Sequence, residues 1–362
     1  MIKSRIPHPS RIVDFLSPWH PSYVIFYVTN RCNFRCKFCF YYAEIEKGRK
    51  PEELTLEEID KLSKKMGSLL QLSLTGGEPF LRKDFAEVTK TFVRNTGARY
   101  ITIPTNASLT DRMVKFLHEV LPACSDSFFR LTFSIDGIGD NHDENRSKPG
   151  SYSKIQESYL AISPLREQYS NLVLDSNTTF TAKSAGQIMD IMRHLNNEFS
   201  FDNLSITYAR GDIKDPSLKT KSEEQYKAVN EYLENIKRTK EKRFLYPLWR
   251  AARDVSRRNL IDTVYHDKFV TPCVAGRKLI VISETGEVHP CEILDKSMGN
   301  LRETDFDIHE LLKRKPNHEL VDWIKESKCK CSFECALGAN VVWNKSQYPK
   351  MAVSAIRNIG SK

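Results

Sequence analysis

The sequence predicts an α/β protein: a parallel sheet followed by a small cysteine-rich module near the C-terminus. Three observations carry this. From Tyr23 to about Tyr208, short apolar β-branched runs alternate with amphipathic stretches. The texture changes from Thr271 on, where a turn signal separates two very short apolar runs. Eight of the nine cysteines fall into two groups, one at each end of the chain. Six strand-like runs, separated by five helical patterns, imply parallel pairing with right-handed crossovers, in an open doubly wound sheet or a complete or partial barrel.

The strand runs are Tyr23–Thr29, Leu69–Leu74, Tyr100–Pro104, Arg130–Ile135, Leu172–Thr181 and Leu204–Tyr208. Helical spacing marks Leu56–Met66, Asp84–Asn95, Asp111–Val120, Tyr152–Leu165 and Ala185–Asn196. Thr55 with Glu58 three residues on predicts a capping box for the first helix. Segment 212–222 reads as a polar linker, and 222–261 as two helices. The second carries Arg243, Arg250, Arg253, Arg257 and Arg258, either a solvated face or a patch for an anionic ligand. Leu279–Ser283 and Glu287–His289 flank Glu284-Thr285-Gly286 as a hairpin. These boundaries give an N-terminal extension 1–20, a core 21–212, a helical linker 213–270, a cysteine-rich domain 271–345 and a tail 346–362.

Composition is that of an ordinary globular protein, 40% hydrophobic and 28% charged in 362 residues. No apolar run is long enough to span a membrane. Met1–Arg11 is basic with Pro7 and Pro9 and has no signal-peptide pattern, so the expected location is cytosolic. Structural disulfides are then not expected, and grouped cysteines suggest metal or cluster ligation. Cys124 stands alone and is expected to be a buried thiol. The net charge of +9 comes with dispersed lysines, which suits a solvated surface better than a nucleic-acid footprint.

Strand Tyr23–Thr29 runs directly into Cys32, Cys36 and Cys39. Three thiolates at this spacing can wrap one corner of an iron–sulfur cubane, and with no nearby fourth they leave one iron open. Arg31, Arg35 and Lys37 would offset the cluster's charge. A three-cysteine zinc site is the alternative on spacing alone. Cys-x3-Cys-x2-Cys after the first strand, with Phe38 before the last cysteine, resembles the radical S-adenosylmethionine superfamily. That resemblance implies a partial parallel (β/α)6 barrel and a [4Fe–4S] cluster on Cys32, Cys36 and Cys39. The open iron binds S-adenosylmethionine, and reductive cleavage gives a 5′-deoxyadenosyl radical that abstracts hydrogen from substrate. An electron donor such as flavodoxin or ferredoxin is implied too. Phe38 matches the aromatic whose backbone meets the adenine.

Other strand ends extend the resemblance. Gly76-Gly77-Glu78-Pro79 allows close backbone approach, and its main chain with Glu78 can hold an ammonium group. It resembles the family's GGEP motif for the methionyl amino group. Asn106, Ser134, Asp136 and Asn177 stand at or near the ends of strands three to five, where parallel barrels gather their catalytic groups. Relatives use Ser and Asn there for the carboxylate and ribose of S-adenosylmethionine. Arg146, in His142-Asp143-Glu144-Asn145-Arg146, either pairs with the cofactor's carboxylate or forms a loop salt bridge. Arg210 closes the sixth strand and could meet cofactor or substrate.

Cys273 precedes the hairpin, Cys291 follows it, and Cys329, Cys331 and Cys335 come later. The arrangement resembles the SPASM or twitch extension of the same superfamily. Five cysteines rather than seven imply one auxiliary [4Fe–4S] cluster, held by Cys273, Cys291 and two of the last three, with a zinc knuckle as the alternative. The expected function is a radical enzyme acting on a small-molecule, carbohydrate-like or peptide substrate, with the auxiliary cluster assisting oxidation or electron transfer. The competing class is a zinc-binding interaction module without catalysis.

Overall fold

The computed structural model describes residues 9–48, 52–219, 222–236 and 246–360. Its sheet has nine strands: β1 Tyr23–Thr29, β2 Gln71–Gly76, β3 Tyr100–Thr105, β4 Phe128–Ser134, β5 Leu172–Phe180, β6 Asn203–Tyr208, β7 Leu279–Ile282, β8 Glu287–His289 and β9 Gly299–Asn300. The spatial order is β6-β5-β4-β3-β2-β1-β7-β8-β9. All pairs from β6 to β7 are parallel, and β7-β8-β9 is antiparallel. This is the expected partial barrel, open between its two edge strands. The hairpin of the cysteine-rich module is joined to it through β1, Tyr23 pairing with Leu279 and Phe26 with Ile282.

The helices fall close to their expected positions, at Leu56–Lys65, Phe85–Thr96, Thr110–Ala123, Ser151–Ile162 and Ile188–Glu198. The capping box is present: the Glu58 amide donates to Thr55 Oγ1 (3.2 Å) and the Thr55 amide to Glu58 Oε2 (2.9 Å). The two helices after the core are Glu223–Asn235 and Tyr246–Val264. Arg243 lies outside the described residues. The segment from 346 is helical over Tyr348–Gly360 and packs along Tyr246–Val264. Among the described residues no helix is long and apolar enough to cross a membrane.

The two faces of the sheet differ in chemistry. On the outer face Phe26, Leu74, Ile101, Leu131 and Leu174 are buried under the helices in the main core. Around β1 and β7 the inner face is apolar, and Tyr23, Ile25, Tyr27 and Val281 pack there against Phe333 and Ala336 at the start of helix Glu334–Trp343. From β4 to β6 it presents Arg130, Asp175, Asn177, Ser205 and Thr207, bonded to one another across the strands. Parallel strands are usually apolar on both faces; here one face is lined with hydrogen-bonding groups.

Candidate active site

The carboxyl ends of the strands build the site. β1 delivers the loop carrying Cys32, Cys36 and Cys39; Cys36 is buried and the other two are partly so. The loop is tight: the Cys39 amide bonds Cys36 O (3.2 Å) and the Phe34 amide reaches Cys32 Sγ (3.4 Å). Burial pushes the Cys32 thiol up to about 12 and that of Cys39 to about 11, and raises Cys36 as well. A thiolate in so buried a place is stabilised by a cation beside it, as a metal centre would be. Among the described residues no three His, Cys, Asp or Glu side chains converge on a position for a single metal ion.

Gly76 and Gly77 are required by the cysteine loop itself. Gly76 has φ +134°, and a Cβ there would lie 2.1 Å from Thr29 O; at Gly77 it would lie 2.2 Å from Arg31 O. The Gly77 and Glu78 amides donate to Thr29 O (2.9 Å) and Arg31 O (2.7 Å). Residues 76–78 therefore form the seat on which the loop starts.

Glu78 is buried, and burial pushes its carboxyl up to about 7 against its hydrogen bonds. It accepts from Thr105 Oγ1 (2.8 Å), the Asn106 amide (2.8 Å) and the Phe80 amide (3.3 Å). In this structure the carboxylate ties β2 to β3. Pro79 opens the short turn Pro79–Leu81. Asn106 donates to Asn33 Oδ1 (2.8 Å), a loop contact that spacing could not reveal.

Asp136 and Arg146 come together as a buried ion pair. Arg146 also reaches Cys36 Sγ (3.8 Å) and stands over the Phe38 ring (5.3 Å). Its partner is thus inside the site, and it holds the fourth-strand end against the cysteine loop. Asp136 further accepts from the Thr179 amide (2.5 Å). The Asp136 amide donates to His142 Nδ1 (3.0 Å), and burial lowers that imidazole to about 4, so it is neutral. Ser134 pairs in register with Asn177, whose Oδ1 accepts from Ser205 (3.0 Å) and Thr207 (2.6 Å). Phe38, Gly76–Pro79, Asn106, Asp136 and Arg146 thus surround one rim, with Ser134 and Asn177 on the inner face beside it.

The second cysteine group divides. Burial raises the Cys331 thiol to about 12, and Cys273, Cys291 and Cys329 raise it further through space. Those three also act on each other, Cys329 on Cys273, Cys273 on Cys291 and Cys291 on Cys329. Cys335, pushed up to about 11 by burial, has other neighbours: Glu292, Arg210, Glu334 and Tyr23, whose phenol bonds its thiol. Arg210 donates to Glu292 Oε2 (2.8 Å) between the rings of Phe40 and Phe333, and Tyr27 donates to Glu292 Oε1 (2.8 Å). This network links the first loop to the C-terminal module. Cys124 is buried, as expected.

The family model for the radical SAM superfamily matches residues 26–165. Over this segment the chain is similar to the radical SAM superfamily. The match includes the cysteine loop, Gly76–Pro79, Asn106, Asp136 and Arg146, the residues that make the rim. An AdoMet-dependent heme synthase from Oleidesulfovibrio alaskensis is 25% identical over 292 residues, covering 77% of this chain and 71% of that protein. A GTP 3′,8-cyclase from Aquifex aeolicus is 26% identical over 283 residues, 74% of this chain and 81% of the relative. Relatives matched at 36% identity are spanned over only 29% of their length. Among solved structures, native anSMEcpe with bound AdoMet superposes with a TM-score of 0.56 at 18% identity, over 94% of this chain and 98% of that one. The heme synthase and the cyclase are enzymes, and AdoMet is named for the first of them and for the solved structure.

Proposed function

We propose that the chain is a radical SAM enzyme that acts on a small polar substrate held inside the partial barrel. Cys32, Cys36 and Cys39 would hold the [4Fe–4S] cluster. Phe38, the main chain of Gly76–Pro79, Asn106, Ser134, Asp136, Arg146 and Asn177 would surround S-adenosylmethionine. When bound, this pair supplies a 5′-deoxyadenosyl radical for hydrogen abstraction, the electron coming from a flavodoxin or ferredoxin. The protein's part is to seat the loop on Gly76–Glu78, fix Arg146 beside Cys36 and exclude water. The observation that carries the reading is that one loop brings Cys32, Cys36 and Cys39 to the rim where Glu78, Asn106 and the Asp136–Arg146 pair stand.

A second cluster is assigned to Cys273, Cys291, Cys329 and Cys331, with Cys335 outside it. We place the catalytic core at 21–212 and the auxiliary module at 271–345. The polar inner face from β4 to β6 favours a hydrogen-bonding substrate over an apolar one. Anaerobic reconstitution tests the class: wild type should bind about eight irons per chain and release 5′-deoxyadenosine on reduction with S-adenosylmethionine. Cys36→Ala should lose about half the iron and all of the cleavage. Zinc in place of iron, or cleavage retained by Cys36→Ala, would overturn the assignment.

A further inference from the structure

Helix Pro9–Leu16 is held at the amino ends of β2 and β7, opposite the rim. Lys278, just before β7, donates to Phe15 O (2.7 Å), and the Ser68 amide, shortly before β2, donates to Asp14 Oδ2 (3.0 Å). The rest of the helix is apolar and open. Ile12, Val13 and Leu16 are exposed, Val13 at 67% and Leu16 at 71%. The Phe15 ring packs on Trp343, centroids 5.6 Å apart. Trp343 closes helix Glu334–Trp343, and the phenol of Tyr348, which opens the next helix, donates back to Val342 O (3.1 Å). Helix Tyr348–Gly360 buries Ser354 and Ala355 but leaves Tyr348, Val353 and Ile356 exposed, the last at 70%. Trp343 thus joins two helices that both present large apolar side chains to the outside.

A single exposed apolar residue is ordinary, but a group of them on adjoining helices marks an interaction surface. Charge says which kind. Residues 1–13 contain Lys3, Arg5 and Arg11 and no acid, and residues 335–362 contain Lys345, Lys350, Arg357 and Lys362 and no acid. Lys345, Lys350 and Arg357 are exposed. Asp14 is turned to the Ser68 amide, and Asp254, behind the second helix, accepts from Ser354 Oγ (3.4 Å). A second copy of the chain on this surface would set lysine against lysine, and nucleic acid has little use for aliphatic side chains. An anionic bilayer meets both features. Aliphatic groups enter the acyl boundary, Trp and Tyr sit at the headgroups, and the negative surface potential attracts Lys and Arg.

We propose that helix Pro9–Leu16, Trp343 and helix Tyr348–Gly360 form a docking surface for an anionic membrane, which holds the chain at the bilayer with its rim turned away from the lipid. The test is flotation of the iron-loaded full chain, without oxygen, with vesicles of phosphatidylcholine alone or mixed with phosphatidylserine. Wild type should float with the mixed vesicles, not with phosphatidylcholine alone, and should be released as salt is raised. Leu16→Ser and Ile356→Ser should each weaken binding at least about fivefold. Lys345→Gln and Lys350→Gln should each weaken it by up to about fivefold. Leu160→Ser removes a side chain that is 72% exposed on helix Ser151–Ile162, and it should bind as wild type. Because all five side chains are exposed, the variants should keep the wild-type Tm. Wild type that stays behind with mixed vesicles present, equal flotation with phosphatidylcholine alone, or full binding by both Leu16→Ser and Ile356→Ser overturns the proposal. A dimer of wild type that Leu16→Ser abolishes, without flotation, gives the surface to a second copy and overturns it as well. Flotation needs no turnover, so its failure leaves the radical reading standing. Absence of 5′-deoxyadenosine from wild type would overturn that reading without touching this one.

Discussion

The first three cysteines lie within eight consecutive residues, Cys32 to Cys39, and are delivered by the end of one strand. Five cysteines of the C-terminal module spread over 63 residues, Cys273 to Cys335, and four of them become neighbours only after a hairpin and several helices have packed. In the first region local geometry settles which thiols converge, and the rest of the rim braces them. In the second region packing against the inner face of β1 and β7 decides it. The contrast separates what spacing can specify from what only tertiary structure specifies, and single substitutions can break it at either end.

The largest effect is expected at Gly77. A methyl group there meets the Arg31 carbonyl at 2.2 Å, and both partners are backbone, so neither can rotate away. Gly77→Ala should cost about 3 kcal/mol and displace the loop. About half the iron should be lost, together with all S-adenosylmethionine cleavage, while the C-terminal module keeps its share. Full iron with normal cleavage would show that the glycine pair is not the seat of the loop. Cys331→Ala should do the reverse: about four irons lost from the auxiliary centre, cleavage to 5′-deoxyadenosine kept and product formation impaired, as read by iron analysis and product assay side by side.

The same contrast explains how much was legible beforehand. β1 is legible to the residue because a continuous apolar run ends at Thr29-Asn30-Arg31. The capping box at Thr55 and the turn at Gly286 follow from short-range chemistry, Gly286 having φ +85°. The sequence marks Gly-Gly-Glu-Pro as a candidate site element but does not show its contacts. That the glycines abut Thr29 and Arg31, and that Glu78 bonds Thr105 and Asn106, depends on pairings across 27 to 47 residues. Spacing leaves Arg146 between a cofactor contact and a salt bridge; its partner Asp136, ten residues away, becomes visible only once the intervening helix Asp140–Arg146 forms. The polar inner face did have a signal. In Phe-Phe-Arg-Leu-Thr-Phe-Ser and Asn-Leu-Ser-Ile-Thr-Tyr, polar residues recur at every second position, a pattern foreign to a parallel strand buried in apolar surroundings on both sides.

The smallest effect is the one that best sharpens the comparison. Spacing leaves Cys329, Cys331 and Cys335 equivalent, but the fold turns Cys335 toward Tyr23, at the opposite end of β1 from the first loop. Tyr23 Oη has a second partner in Ser73 Oγ (3.1 Å). Cys335→Ala therefore leaves the phenol bonded and removes only a thiol and a little packing, about 1 kcal/mol. Tm should fall by about 2–4 °C, with iron content and visible spectrum those of wild type. A drop to about half the iron would make Cys335 a ligand. One of Cys329 and Cys331 would then be the spare, and the division of the second group would have to be redrawn around Tyr23.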